Sequence, residues 1–519
     1  MKTKSIMLVL AVITAFSTSA YDFKENGLAY KINEDGTSVE VTFERFTTSG
    51  YSNLTGDVVI PSSVSHNGIQ YTVTSIGDIA FFRCSGITSV VIPNTVTKIS
   101  FKSFTECTGL TSLSIPNSVE EIGYGAFRDC NSLSSLHIPG SVSSIGLDAF
   151  NGCTGLYSVT VDEGNTIYDS RDNCNAIIET ATNTLVLGSN STVIPNSIDS
   201  IYTCAFFGCK GLETVVIPNS VKHIGVNAFI GCTSLTHLEL GNSVTYIGDG
   251  AFSYCYELSS VIIPKSVVSI GERAFGKCLG LSSVVVEDDN PYYDSRDNCN
   301  AIIETGTNTL IAGCKNTVIP NTITSIGNYA FCGCRDLNSL TIPNSVLSIG
   351  EGAFLDCENL TSVTIPNSVV SVGLLAFSGC KKMTSLKIGS SVSHIGSYAF
   401  GGCTNLSVIN SRIMEPQNVT YDDSYYIFSS KAKENCVLRV PHGTLELYKS
   451  IMPWREFANI VVEGDLNNDG EVTAADATVI YNIMLGNSSA ATVLDDVNGD
   501  GEVTSADITA IYNILLGNQ

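Results

Sequence analysis

The chain has 519 residues, 50 of them acidic and 27 basic, for a formal net charge of −23. Such a surplus excludes a nucleic-acid partner gripped through its phosphates. The length allows several domains of ~100–200 residues or one extended repeat body.

The opening MKTKSIMLVLAVITAFSTSA places Lys2 and Lys4 ahead of an apolar run from Ile6 to Phe16, then small residues up to Ala20. That pattern predicts a cleaved secretory signal peptide over 1–20. The run is well short of the ~20 apolar residues that a membrane-spanning helix needs, and no later stretch comes close, so no transmembrane segment is expected. Residues 21–75 read as an N-terminal capping segment.

From residue 76 the chain repeats itself, as in IGYGAFRDC, IGDGAFSYC and IGEGAFLDC. The anchors are Ile76, Ile99, Ile122, Ile145, Ile201, Ile224, Ile247, Ile270, Ile326, Ile349, Val372 and Ile395, spaced by 23 residues except for two gaps of 56. Every anchor is followed five residues on by Phe and eight on by Cys. The stretch LTSVTIP alternates like a short strand, and Pro ends it because it cannot donate to a ladder. Coils stacked strand on strand would bury one column of Phe and another of Val and Ile, giving a mostly β solenoid over 76–410.

In that strand the residue between Val and the last Ile faces solvent. The column it forms varies while its surroundings repeat, and His137, Thr160, Glu239, Thr341, Thr364 and Lys387 are its candidate ligand-binding positions, for a protein or a glycan. The two longer gaps hold YDSRDNCNAIIETATNTLVLG from Tyr168 and a sister copy from Tyr293. Each reads as a hairpin insertion, at about 162–192 and 287–317, protruding on one edge either as decoration or as a ligand contact.

Twelve of the 18 cysteines stand at one position per coil, where they act as small hydrophobes rather than disulfide partners. Cys174, Cys204, Cys299, Cys314, Cys332 and Cys436 lie outside the column, and their pairing stays open. No phosphate loop, nucleophile elbow or HExxH is present, so no catalytic residues are assigned and no enzyme is expected. TSVTIPNSVVSVGLLAFSGC and its sisters resemble the BspA-like surface leucine-rich repeat family, in which VLRVPHGTLELYKSIMPWREFANIVVE looks like the closing coil, here 411–463. The resemblance implies a leucine-rich-repeat solenoid at the bacterial surface or outside the cell, serving adhesion.

From Glu463 onward there are ten acidic residues and no Lys or Arg. DLNNDGEVTAAD and DVNGDGEVTSAD both fit a calcium loop: Asp465, Asn467, Asp469, Glu471, Thr473 and Asp476, then Asp496, Asn498, Asp500, Glu502, Thr504 and Asp507. Oxygen ligands at alternate positions suit a hard cation, with the Glu acting through its carbonyl and the Thr through a water, so two calcium ions are expected. Each loop enters an apolar helical segment, where Ile480, Ile483 and Met484 share a face, as do Ile511, Ile514 and Leu515.

A calcium loop followed by one helix, duplicated, resembles the type I dockerin family over 464–519. The resemblance implies a cohesin-like partner, met through Ala474, Ala475, Tyr481 and Asn482 and through Ser505, Ala506, Tyr512 and Asn513. Two functions follow from the two resemblances. One is a non-catalytic secreted or cell-surface recognition protein; the other is an accessory subunit of a dockerin-assembled polysaccharide-degrading complex.

Overall fold

A computed structural model describes residues 21–43, 54–422, 426–467, 469, 471–487, 497 and 502–516, and the expected signal peptide lies outside them. The architecture is the mostly β coil of parallel strands expected from the repeat, followed by a small helical domain. One strand of each coil shows why. In Ser135–Ile138, Leu136 and Ile138 are buried while Ser135 and His137 are exposed, as pleating requires. Pro116, after another such strand, starts a turn that Val119 N–H closes on the Pro116 carbonyl at 3.0 Å. The chain then enters a two-residue strand ending at the anchor, here Ile122.

The chain divides into two compact units, residues 1–256 with 269–274 and residues 257–268 with 275–519. In the first, the anchor strands Lys98–Ile99, Glu121–Ile122 and Ser144–Ile145 pair in parallel, so that Ile99, Ile122 and Ile145 stand side by side. Ser200–Ile201, His223–Ile224, Tyr246–Ile247 and Ser269–Ile270 do the same. The ladder opens on the antiparallel strands Phe23–Glu25, Leu28–Ile32 and Ser38–Thr42, the last of which pairs in parallel with Ile69–Ile76. A constant repeat and the ~4.8 Å strand spacing place ring on ring. Phe81, Phe104, Phe127 and Phe150 stack at 4.8, 5.1 and 5.4 Å between centroids, and Phe206, Phe229 and Phe252 at 4.6 and 5.1 Å.

Between these two stacks lies the first insertion. Ile177–Glu179 pairs antiparallel with Tyr168–Asp169 and with Thr184–Leu187. Thr184–Leu187 then pairs in parallel with Ser200–Ile201, and Leu185 takes an anchor's place beside Ile201. The hairpin is therefore not an edge protrusion, because its second strand is built into the anchor sheet. Arg171 fixes it, with Nη2 2.6 Å from Asp169 Oδ2 and Nη1 2.9 Å from Asn183 Oδ1. This coil has no Phe. Its chain crosses the Phe206 ring at Gly188, where a Cβ would lie 2.0 Å from the ring.

The second unit repeats the plan. Ser325–Ile326, Ser348–Ile349, Ser371–Val372 and His394–Ile395 form its anchor ladder, joined by the insertion strand Thr309–Gly313 through Leu310 and Ile326. Ser362–Thr364, Ser385–Ile388, Val408–Ser411, Val437–Val440 and Asn459–Val462 form a second parallel sheet. The ring stack runs from Phe331 through Phe354, Phe377 and Phe400 to Phe428 at 5.0, 4.8, 5.5 and 5.3 Å. It ends on Phe457, edge-on at 5.1 Å, and on Trp454. Among the described residues four α-helices follow the repeats: α1 (Ser430–Asn435), α2 (Leu445–Ser450), α3 (Ala474–Met484) and α4 (Ser505–Leu515).

The cysteine column does more than fill space. Each of eight thiols donates to the Phe carbonyl of the preceding coil, for example Cys107 to Phe81 at 3.0 Å, Cys232 to Phe206 at 3.3 Å and Cys357 to Phe331 at 3.1 Å. No disulfide joins any of the cysteines among the described residues, inside the column or outside it. Burial pushes the Cys209 and Cys255 thiols up to about 12. A protonated, buried thiol does not attack an alkylating reagent. Iodoacetamide is therefore expected to spare the column in the native protein and to label it in guanidinium, as mass spectrometry of the digested protein would show.

Candidate docking and ligand-binding sites

The first acidic loop folds back onto the start of α3. Thr473 caps that helix, accepting from Ala475 N at 3.1 Å, while Asp476 Oδ2 accepts from Thr473 N at 2.8 Å. Asp476 Oδ1 accepts from Leu466 N at 2.8 Å and from Asn467 N at 3.1 Å. The carboxylate is thus fully buried, with three main-chain donors and the positive end of α3 around it. Asp465 Oδ1 and Asn467 Oδ1 both accept from Asp469 N, at 3.2 and 2.9 Å, and Asn467 Nδ2 donates to Asp469 Oδ2 at 2.8 Å. The loop therefore gathers Asp465, Asn467, Asp469 and Asp476. Glu471 stays exposed, its N–H held by Asp469 Oδ1 at 2.9 Å.

The second loop repeats the closure. Asp507, also fully buried, accepts from Thr504 N at 2.8 Å, and Thr504 accepts from Ala506 N at 3.2 Å. Glu502 is exposed, and Asp496, Asn498 and Asp500 lie outside the described residues. Among the described residues no three His, Cys, Asp or Glu side chains by themselves form a metal cluster. An ion in the first loop would also need the Asn467 amide oxygen and main-chain carbonyls. Such an all-oxygen donor set, beside a buried carboxylate held by three N–H groups and the Thr473 hydroxyl, fits a hard cation such as calcium.

Both helices turn one isoleucine inward. Ile480 and Ile511 are fully buried with Val462, Val472, Ala477 and Val497. Met484 and Leu515, which helical spacing groups with these isoleucines, are exposed, as are Tyr481, Leu485, Tyr512 and Leu516. Each helix thus shows solvent an i, i+3, i+4 apolar row: Tyr481, Met484 and Leu485 on α3, and Tyr512, Leu515 and Leu516 on α4. Ala474, Ala475, Ser505, Ala506 and Asn513 are exposed too, and Asn482 is partly so.

On the solenoid, His137 and Thr160 stand in register, with His137 Nδ1 3.0 Å from Thr160 Oγ1 and Nε2 3.6 Å from Asp162 Oδ1. Glu239 has exposed Val216 beside it. Thr341, Thr364 and Lys387 share a groove of about 530 Å3 with Asn344, Asn367 and Arg412. Burial raises the nearby Glu463 carboxyl above its ordinary range, against the pull of Arg412, Arg439 and Lys387. Arg412 carries no repeat signal, since it falls after the last regular coil, and the sequence pattern alone could not place it in the groove.

The BspA type leucine rich repeat region matches the chain in six copies over residues 62–181, 187–299 and 311–433. The dockerin type I domain matches residues 463–516. No curated protein matches. Among solved structures, a leucine rich cell surface protein from Faecalibacterium prausnitzii A2-165 is 25% identical, covering 87% of this chain and 97% of its own, with a TM-score of 0.45. A leucine-rich repeat protein from Bacteroides ovatus ATCC 8483 is 24% identical over 81% of this chain and 100% of its own, with a TM-score of 0.40. The pneumococcal vaccine antigen PcpA is 18% identical over 86% of this chain and 100% of its own, with a TM-score of 0.42.

Proposed function

Because the chain belongs to the BspA type leucine-rich repeat family and ends in a type I dockerin domain, we propose that it is a non-catalytic recognition protein, exported and attached through that domain to a cohesin-like partner. The observation that carries this reading is the duplicated closure of an acidic loop by a fully buried Asp, Asp476 in one copy and Asp507 in the other. Two calcium ions would be held by Asp465, Asn467, Asp469, Asp476 and the Glu471 carbonyl, and by their counterparts Asp496, Asn498, Asp500, Asp507 and Glu502, with Thr473 and Thr504 acting through water. The ions neutralise carboxylates that would otherwise repel one another, so the loops can hold α3 and α4 in place.

Docking then uses the exposed faces of α3 and α4. Ala474, Ala475, Tyr481 and Asn482, with Ser505, Ala506, Tyr512 and Asn513, form the partner-binding positions, and the apolar rows beside them supply area to bury. The solenoid column of His137, Thr160, Glu239, Thr341, Thr364 and Lys387 presents the ligand face, for a protein or a glycan. The test is a pull-down from a surface extract of the parent organism using the full secreted chain, with calcium and then with a chelator. A partner retained only in calcium, and lost with an Asp476→Ala, Asp507→Ala double variant, supports docking. Its identity separates an adhesive surface scaffold from a polysaccharide-degrading complex. Capture that persists in chelator, or no capture by a chain that demonstrably binds calcium, would refute the docking role.

A further inference from the structure

Successive coils of the first unit, such as those of Ile99 and Ile122, pass their turns on through three hydrogen bonds that all run one way. Lys102, Phe104 and Glu106 N–H groups donate to Tyr124, Ala126 and Arg128 carbonyls at 2.9, 2.7 and 2.8 Å; Gly125, Phe127 and Asp129 donate to Leu147, Ala149 and Asn151 at 3.0, 2.7 and 2.8 Å. The cause is the backbone: Lys102 and Glu106, like Gly125 and Asp129, take positive φ. Alternating left- and right-handed residues point successive N–H groups to one side of the ribbon and successive carbonyls to the other. The coil after Ile145 keeps this form, with Asp148 at φ 58° and Gly152 at 77°. The insertion that follows omits the next turn. The carbonyls of Leu147, Ala149 and Asn151 are used, whereas the Asp148 and Phe150 N–H groups have no acceptor among the described residues.

A cavity of about 460 Å3 opens where that turn would lie, within the ~300–1,000 Å3 of small-molecule sites. Asp148 and Phe150 line it, together with Asn151, Glu179, Tyr202 and Leu147. Asn151 is 8% exposed; its Nδ2 donates to Asp148 Oδ1 at 3.2 Å, while its buried Oδ1 has no hydrogen-bond partner among the described residues. Tyr202, 41% exposed, offers a ring at the rim.

The lining selects a ligand class. It holds no Lys or Arg; Arg128 Nη1, outside the lining, offsets Asp148 at 3.5 Å, and the Glu179 carboxylate opposes an anion. The N–H groups oppose a bare cation. A peptide strand is a poor match, because it alternates donors and acceptors along its edge, whereas this edge presents N–H groups alone. A sugar hydroxyl both accepts and donates, so one hydroxyl can take an N–H and pass its own proton to Asn151 Oδ1 or a carboxylate. The apolar face of the sugar ring would lie on Tyr202. We propose that this cavity, separate from the strand column and independent of the docking reading, binds one or two residues of a neutral glycan.

The experiment screens the full secreted chain against immobilised neutral oligosaccharides of the gluco, xylo, manno, galacto and N-acetylglucosamine series, then titrates any hit calorimetrically. The expected result is binding to at least one series that weakens by about tenfold or more in Tyr202→Ala, Glu179→Gln and Asn151→Leu. A His137→Ala, Glu239→Ala, Lys387→Ala triple variant keeps that binding. Where Asn151→Leu fails to fold, the two exposed-side variants carry the test. No binding to any series, binding that all the cavity variants retain, or a hit lost only in the triple variant overturns the proposal.

Discussion

Replacing Asp476 by Ala is expected to abolish the calcium-dependent thermal transition of the C-terminal domain while the solenoid transition stays in place. The carboxylate accepts hydrogen bonds from Leu466, Asn467 and Thr473 N–H groups and has no exposed surface. Hydrogen bonds to a charged group contribute about 1.5–3 kcal/mol each, and a buried donor left unpaired costs about 1–3 kcal/mol. Three such losses exceed what a domain of this size can absorb, since even whole proteins are stable by only about 5–15 kcal/mol. The apolar core beneath the loops is small, built from Val462, Val472, Ala477, Ile480, Val497 and Ile511. Binding of the cation to the folded form adds about 4 kcal/mol at a thousandfold excess over Kd, so calcium would move the wild-type transition upward. Scanning calorimetry with calcium and with chelator tests this. A variant that keeps both its transitions and its calcium shift would remove Asp476 from the ligand set.

What could be read from the sequence follows from what was periodic. The anchor, Phe and Cys positions recur at one spacing, and a constant spacing in a stacked solenoid can only place like on like, so the Ile99, Ile122 and Ile145 ladder and the Phe stacks were legible. The role of Leu185 was not. It has no Phe or Cys downstream at the repeat spacing, and only the parallel pairing with Ser200–Ile201 shows it to be an anchor. The thiol-to-carbonyl bonds were hidden because a small hydrophobe accounts for the same sequence pattern; the Phe81 carbonyl that Cys107 meets is visible only in three dimensions. How deep Met484 and Leu515 sit was hidden for a related reason. Helical spacing groups them with Ile480 and Ile511, but the core under α3 and α4 is narrow and fully covers Ile480 and Ile511 while Met484 and Leu515 stay exposed. In the first acidic loop the spacing singled out Asp465, Asn467, Asp469 and Asp476, which the fold gathers, and the capping box around Asp476 explains why the last of them is Asp. A short side chain at the third helical position reaches back to Thr473 N.

Phe354→Ala should be the most damaging single substitution in the repeats of the second unit, costing about 3–5 kcal/mol in urea unfolding. The ring is fully buried and lies between Phe331 and Phe377, at 5.0 and 4.8 Å. Its removal leaves a hole that the neighbours cannot close. Phe331 N–H donates to Ala353 O and Phe354 N–H to Ala376 O, both at 2.7 Å, and Cys380 Sγ donates to Phe354 O. These bonds fix the coil spacing, so relaxation toward the cavity would require breaking a ladder on each side. In a stack where each coil contacts only its neighbours, the loss is also local, and the array can melt from the damaged coil outward. The unfolding curve is therefore expected to broaden, with a lower m-value, rather than only to shift. Phe354→Leu, which refills part of the volume, should recover much of the loss. A cost below about 1 kcal/mol for the Ala variant would mean that the ring column is not what holds the coils in register, and that the ladders suffice alone.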